Sequence, residues 1–244
     1  MAKFGLIGHN IEYSFSRGYF ASKFEKENLP HTYENFDIDN ITSFTKIIQE
    51  QPLIGGLNVT IPYKEVIIPY LDELDKTAEE IGAVNTIKFL KNNKLKGFNT
   101  DYYGFKTSLQ RFLKPHHKSA LILGTGGASK AIAYALKKLG VSISYVSRKS
   151  SKGIDYTYKS LTKDVVSHHQ IIINCTPLGT YPNIEDSPQL PYQAINNYHL
   201  LFDLIYNPEE TQFLKLGKQN GATISNGLNM LELQAEKAWD IWMS

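Results

Sequence analysis

The chain has 244 residues, a formal net charge of +2, and 42% hydrophobic against 20% charged residues. That length builds one large domain or two modest ones, and a near-neutral balance without a dense Lys/Arg run leaves no electrostatic footprint for nucleic acid. A single cysteine excludes an intramolecular disulfide; with no apolar run of about 18 residues and no signal-peptide pattern over 1–10, a soluble cytoplasmic protein with no membrane partner is expected.

Short apolar runs alternate with helical stretches along the whole chain, which is the pattern of an α/β fold. In the first half the spacing predicts a strand over 3–7, a helix over 16–27, a strand over 32–38, a helix over 42–49 and a strand over 53–59. Then come a helix over 64–71 opening soon after Pro62, a helix over 75–81, a strand over 83–90, a turn at Asn92-Asn93 and a strand over 95–99. These make a complete α/β layer, so a domain boundary is placed after Asp101, with 103–113 as a connecting helix.

The second half opens on an apolar strand over 120–123 that runs into Gly124-Thr125-Gly126-Gly127-Ala128-Ser129 and then into an alanine-rich helix over 130–139. Strand before and helix after give a glycine-rich turn the context of a dinucleotide site. Gly124 and Gly126 permit a tight turn and close approach to a pyrophosphate, Gly127 and Ala128 follow as further cofactor contacts, and small Ser129 lets helix pack on strand. The helix N-terminus then offers unpaired N–H groups and a positive dipole end.

A second strand over 141–146 ends in Ser147-Arg148-Lys149-Ser150. An NAD-binding protein usually carries an acidic residue there for the ribose 2′-hydroxyl, whereas a basic residue suits a 2′-phosphate, so NADP is the expected cofactor. The stretch 150–168 is compressed and is expected to lack a full helix. An apolar strand over 171–174 leads to Cys175, read as a small, partly buried residue, and to Thr176, assigned to the cofactor side. After a Pro/Gly-punctuated loop come a strand over 200–204, a helix from about Thr211 and a final helix over 228–242, whose Leu231, Ala235, Ala238, Trp239 and Trp242 form an apolar face.

The first half also concentrates small polar residues at strand ends: Ser14-Phe15-Ser16, Asn58-Val59-Thr60-Ile61-Pro62-Tyr63-Lys64, Gly82-Ala83-Val84-Asn85-Thr86 and Asn99-Thr100-Asp101. Ligand sites of open α/β sheets gather beyond the carboxyl ends of strands, so these ends can converge on one cleft. Singly each has a structural explanation. Ser16 can cap its helix, Thr60 can serve the turn before Pro62, Asn85 can satisfy a buried backbone group and Asp101 can be the N-cap of the connecting helix.

Jointly these segments, with Asp203-Leu204-Ile205-Tyr206-Asn207-Pro208 and 226–234, resemble the shikimate dehydrogenase family from Ile7 to Gln234. The resemblance implies an NADP-dependent oxidoreductase that reversibly reduces 3-dehydroshikimate to shikimate on the route to aromatic amino acids. It also implies an α/β substrate domain (1–101 and 226–244, the C-terminal helix returning to it) and a Rossmann-type NADP-binding domain (102–225). By the same resemblance Lys64 and Asp101 are the catalytic pair, and Ser14 and Ser16 donate to the substrate carboxylate. Thr60, Asn85 and Gln234 hold substrate oxygens, Tyr206 and Gly227 line the place where nicotinamide meets substrate, and Ser147, Arg148 and Lys149 hold the 2′-phosphate. No metal is implied, and a homodimer is an open expectation. Without a catalytic role Lys64 would be a surface lysine opening a helix, a cation set at the positive end of a dipole.

Three departures from the family pattern stand out. Arg17 replaces the common proline after the second serine, Phe20 replaces a polar residue, and Gly179-Thr180 replaces a Gly-Met pair beside the cofactor. Two other readings share most of the motifs: a quinate/shikimate dehydrogenase, and a non-catalytic NADP-binding sensor.

Overall fold

The computed structural model describes residues 1–51, 53–91 and 94–244; the turn expected at Asn92-Asn93 lies outside the described residues. The chain forms two compact units, Met1–Asp101 with Gln234–Ser244, and Tyr102–Leu233.

The first unit runs β1 (Lys3–Gly8), α1 (Phe15–Lys26), β2 (Thr32–Asp37), α2 (Ser43–Glu50), β3 (Ile54–Val59), β4 (Glu73–Leu74), α3 (Lys76–Ile81), β5 (Thr86–Phe89) and β6 (Leu95–Phe98). Its sheet has the order β2-β1-β3-β5-β6-β4. β1 pairs in parallel with β2 and β3, while β5 is antiparallel to both β3 and β6. Ile7, Leu57, Ile67 and Ile87 are fully buried in one core cluster, each such side chain stabilising the fold by about 1.5–3 kcal/mol.

No α-helix forms over 64–71. Residues 64–67 are turn and only Ile68–Tyr70 winds, as a 3₁₀ turn. Pro69 has no N–H to give and disfavours the α conformation of Ile68, which stops an α-helix there. No α-helix therefore begins at Lys64, and no helix dipole opposes its charge there. Likewise the strand expected from 83 starts at Thr86: α3, capped by Asp75 accepting from Thr77 N at 2.9 Å, ends on Gly82 in the left-handed region (φ 71°), and 83–85 form the link that follows.

The second unit runs α4 (Asp101–Gln110), β7 (Ser119–Leu123), α5 (Gly127–Lys138), β8 (Ser142–Ser147), β9 (Tyr156–Thr157), α6 (Lys163–His168), β10 (Ile171–Asn174), β11 (Leu200–Asp203), α7 (Gln212–Gln219), β12 (Thr223–Ser225) and the start of α8 (Leu228–Met243). All its strands are parallel, in the order β12-β11-β10-β7-β8-β9. The order reverses between β7 and β10, the switch point of a doubly wound nucleotide-binding sheet. β7 and β10 are buried over nearly their whole length because helices cover both faces. The compressed stretch holds β9, a 3₁₀ turn at Tyr158–Ser160 and the six residues of α6.

The second unit ends at Leu233, beyond the end at 225 that the sequence suggests. The reason lies in α8: Met230 packs in a core cluster of the second unit, and Ala235, Ala238 and Trp242 pack with Phe4, Phe20 and Phe24 in the first. Trp242 Nε1 donates to Ile87 O at 3.0 Å, and its ring lies where a Cβ on Gly56 would stand. Both tryptophans are packing residues.

Candidate active site

In the first unit Asn85 is the centre of a buried polar network. It sits 2% exposed just before β5, where α3 has ended and the chain turns into the sheet. Its Oδ1 accepts from Thr100 N at 2.7 Å and its Nδ2 donates to Asp101 Oδ1 at 2.9 Å and to Gln234 Oε1 at 3.0 Å. The other Asp101 oxygen, Oδ2, accepts from Lys64 Nζ at 2.7 Å, with side chains 14% and 7% exposed for Lys64 and Asp101. The lysine backbone is fixed as well, because Val84 N donates to Lys64 O at 2.7 Å.

Asp101 is the first residue of α4, so its carboxylate lies at the positive end of that helix while its oxygens are held by side chains. A carboxylate gripped in this way orients a lysine ammonium with little freedom left to lose, and aims a proton donor at whatever binds beside it. Thr60, at the end of β3, donates its N–H to Ile7 O at 2.8 Å and accepts from Tyr63 N at 2.9 Å, which folds the turn leading to Lys64.

Ser14 is the N-cap residue of α1 but makes no side-chain cap. Its Oγ donates to Asn35 Oδ1 at 2.9 Å, and Asn35 Nδ2 donates to Ile11 O at 2.6 Å. Asp37 accepts from Asn10 N and Ile11 N at 2.9 and 3.0 Å, holding the same loop. Ser16 is buried inside the first turn of α1 rather than capping it, and its hydroxyl stands beside that of Tyr33. Tyr33 is fully desolvated, which raises its hydroxyl above the phenol range, and the neighbouring Ser16 hydroxyl works against that rise. Tyr33 OH in turn donates to Asn58 Oδ1 at 2.8 Å, and Asn58 Nδ2 donates to Asn85 O at 3.2 Å. A continuous hydrogen-bonded path thus runs from Tyr33 to Asn85, with Ser16 beside its outer end.

Of the departures, Phe20 is fully buried and stacks on Tyr33 with centroids 4.7 Å apart, and Arg17 Nη2 ties back to Glu12 O at 2.8 Å. Tyr33 and Asn35 escaped the sequence reading, and Asn58 and Thr100 stood in its polar clusters without a role of their own. The one available signal was Asn58, a polar side chain inside an otherwise apolar strand.

In the second unit Gly124 adopts φ 103°, which favours glycine, and a Cβ there would stand 3.1 Å from Thr176 Cγ2 and 3.2 Å from Cys175 O. Gly126 is the N-cap of α5 with open space beside it, so the first N–H groups of Gly127 and Ala128 are approachable. Ser129 is 1% exposed and its Oγ donates back to Gly126 O at 2.7 Å. β8 ends at Ser147, and Arg148 and Lys149 follow, both exposed.

Thr176 follows β10, its N and Oγ1 both donating to Asn174 Oδ1 at 3.0 and 2.6 Å. Tyr206 is half-buried, which raises its hydroxyl. Gly227 donates its N–H to Ile205 O at 3.1 Å, and a Cβ there would overlap the Leu204 carbonyl, so only glycine fits. Cys175 lies among apolar neighbours, and burial pushes its thiol above the ordinary range.

Glycine turn, helix N-terminus and exposed cations after the second strand match what NADP presents: a pyrophosphate for the N–H groups and a 2′-phosphate for Arg148 and Lys149. The residues present fit that cofactor.

Residues 6–87 match the family model described as the shikimate dehydrogenase substrate binding domain. A protein of Clostridium beijerinckii named Shikimate dehydrogenase (NADP(+)) is 41% identical over 99% of this chain and 92% of its own length. The chain belongs to the shikimate dehydrogenase family. Among solved structures, shikimate dehydrogenase 1 of Peptoclostridium difficile is 40% identical, covering 100% of this chain and 92% of its own, with a TM-score of 0.86. The Thermus thermophilus shikimate 5-dehydrogenase, solved in complex with NADP(H) and shikimate, is 29% identical over 99% of this chain and 93% of its own, with a TM-score of 0.88. The family's two folds, an α/β substrate domain and a Rossmann domain, are those of the two units.

Proposed function

We propose that the chain catalyses the reversible, NADP-dependent interconversion of shikimate and 3-dehydroshikimate, in the biosynthesis of aromatic amino acids, with Lys64 and Asp101 as its catalytic pair. The observation that carries the residue assignment is the 2.7 Å Lys64–Asp101 contact, braced through Asn85 to Gln234. When bound, NADPH supplies the hydride for the substrate carbonyl carbon. Lys64 holds the proton that goes to the carbonyl oxygen as charge develops there, and takes it back when a hydroxyl is oxidised. Asp101 orients the ammonium and receives the neighbouring substrate hydroxyl. Asn85, Gln234 and Thr60 hold the remaining oxygens, and Ser14 and Ser16 the carboxylate, with neutral donors.

On the cofactor side Gly124, Gly126, Gly127 and Ala128 take the pyrophosphate, Ser147, Arg148 and Lys149 the 2′-phosphate, and Thr176, Tyr206 and Gly227 the nicotinamide end. The substrate half of this reading is 1–101 with the C-terminal helix, and the NADP half is the segment between.

Shikimate-dependent reduction of NADP, with quinate as control, is the test. Turnover with shikimate and little with quinate is expected. Equal turnover of quinate would support the quinate/shikimate alternative, and no turnover with either would support a sensor. The same proposal includes a cytoplasmic location and a homodimer. A lone cysteine and, among the described residues, no helix long and apolar enough to cross a membrane agree with the location; cell fractionation and sedimentation test the two.

A further inference from the structure

Asp203 closes β11, fully buried at the carboxyl edge of the parallel sheet, and stands directly opposite Asn174, the last residue of β10. Its Oδ1 accepts from Asn174 Nδ2 at 3.1 Å and from Ile205 N at 3.0 Å. Its Oδ2 accepts from Thr211 Oγ1 at 2.6 Å, while the same Thr211 oxygen caps α7 by accepting from Leu214 N at 3.4 Å.

Each of the first two bonds governs a loop. Asn174, held by Asp203 through its amide nitrogen, turns its amide oxygen to Thr176 N and Oγ1, and Thr176 Oγ1 in turn accepts from Leu178 N at 3.3 Å. The backbone of Ile205, held through its N–H, precedes Tyr206 and accepts at its own carbonyl from Gly227 N at 3.1 Å. One carboxylate therefore sets the conformation of both segments. We infer that Asp203 is a positioning residue for the cofactor: through Asn174 and Ile205 it fixes the two loops that present Thr176 and Tyr206, given the reading of this half as the one that holds NADP.

A carboxylate suits the site because the partners Asn174 Nδ2, Ile205 N and Thr211 Oγ1 all donate to it. The choice is costly to the fold. Burial pushes the Asp203 carboxyl up to about 6, against the pull of its hydrogen bonds. A folded-state value above the unfolded one means that its contribution to stability is complete below the ordinary carboxylate range and is lost as pH rises through about 6. The groups facing it, Cys175 and Tyr192, bring no positive charge, and its own charge raises both of theirs. A buried anion kept at such a cost, with its hydrogen bonds directed into two loops, serves their geometry more than stability.

Calorimetric titration of NADP, run beside steady-state kinetics in both substrates, tests this. Asp203→Ala is expected to weaken NADP binding by about 10-fold while leaving the shikimate KM unchanged, because displaced loops misplace contacts on the cofactor alone. Asp203→Asn restores affinity to within about 2-fold, since its oxygen still accepts from Asn174 and Ile205 and its NH₂ donates to Thr211 Oγ1. Asn174→Ala, which leaves Asp203 in place and cuts the relay to Thr176, is expected to reproduce the loss should Asp203→Ala fail to fold. Thr211→Val, which removes the α7 cap and the bond to Asp203 Oδ2 but leaves both bonds to Oδ1, lowers the melting temperature without weakening NADP binding. Unchanged NADP affinity in both Asp203→Ala and Asn174→Ala, or an equal loss in Thr211→Val, overturns the inference. Arg148→Ala in the same series separates the two failures: if it too leaves NADP affinity unchanged, the cofactor site itself has been misplaced and the inference falls with it.

Discussion

The two units build their candidate sites by opposite means. In the first, buried side chains hold one another: Lys64 on Asp101, Asp101 on Asn85, Asn85 on Gln234, and Asn58 and Tyr33 leading on to Ser16. In the second, backbone N–H groups at the start of α5 and two exposed cations after β8 face outward. A site of the first kind gives a fixed reacting geometry, because each donor and acceptor is already committed and little reorganises in the reaction. A site of the second kind recognises charge, and it tolerates rearrangement because exposed side chains adapt. A change in the interlocked site should therefore act on turnover, and a change in the open site on affinity for one ligand.

The sharpest way to break the comparison is Lys64→Ala. Turnover should fall by at least about 100-fold, the scale of lost acid-base assistance, with shikimate affinity within about 10-fold of the parent. Because the substitution leaves Asp101 buried with one partner fewer, a melting curve must accompany the kinetics, and a loss of some 3 kcal/mol or more of stability is the signature of an unpaired buried charge. Turnover within a few-fold of the parent would remove Lys64 from the chemistry and make the network a structural one.

Arg148→Ala probes the open site. A charge-assisted contact to a phosphate is worth about 1.5–3 kcal/mol, so the KM for NADP should rise by roughly 10- to 100-fold while that for NAD barely moves. If Lys149 shares the load the single change falls at the lower end, and the double change erases the preference. Equal weakening of both cofactors would make 147–149 an ordinary solvated loop.

How much of this was legible in the chain differs between the two sites for the same physical reason. The nucleotide half is written in local steps, strand to glycine turn to helix, and β7, α5 and β8 lie within a few residues of their expected bounds. The short strands β4, β9 and β12 carry no such signal; at two or three residues each they exist because a neighbouring strand offers a pairing edge. The helix expected over 64–71 failed on Pro69, whose effect on Ile68 outweighs the spacing of its apolar residues. In the substrate half Lys64, Asp101, Asn85 and Gln234 were legible through the motifs they sit in. Tyr33, Asn35 and Asn58 were not, because a polar residue in a strand declares its partner only once the strands have been brought side by side.

The smallest effect, and the finest test of the contrast, lies with the two serines. Ser14 already donates its hydroxyl proton to Asn35, and the Ser16 hydroxyl stands beside that of Tyr33. To donate to a carboxylate, Ser14 must give up or share that bond and Ser16 must turn from Tyr33, so the net gain is that of an exchange, about 0.5–1.5 kcal/mol, and not of a new charge-assisted bond. Ser14→Ala and Ser16→Ala should each weaken shikimate binding by only about 2- to 10-fold, with NADP affinity untouched. The two should nevertheless differ in kind. Ser14 belongs to a loop held independently by Asp37 and Asn35, so its loss should raise the shikimate KM alone. Ser16 stands at the end of the path through Tyr33 and Asn58 to Asn85, so its loss should also lower turnover, by a factor of a few. Tyr33→Phe, which keeps the stack on Phe20 and deletes the hydroxyl, should reproduce that fall, and combining it with Ser16→Ala should add little further. Fully additive losses in the double variant would cut the path at Tyr33, leaving the carboxylate contacts and the Lys64–Asp101 pair as separate features of one unit.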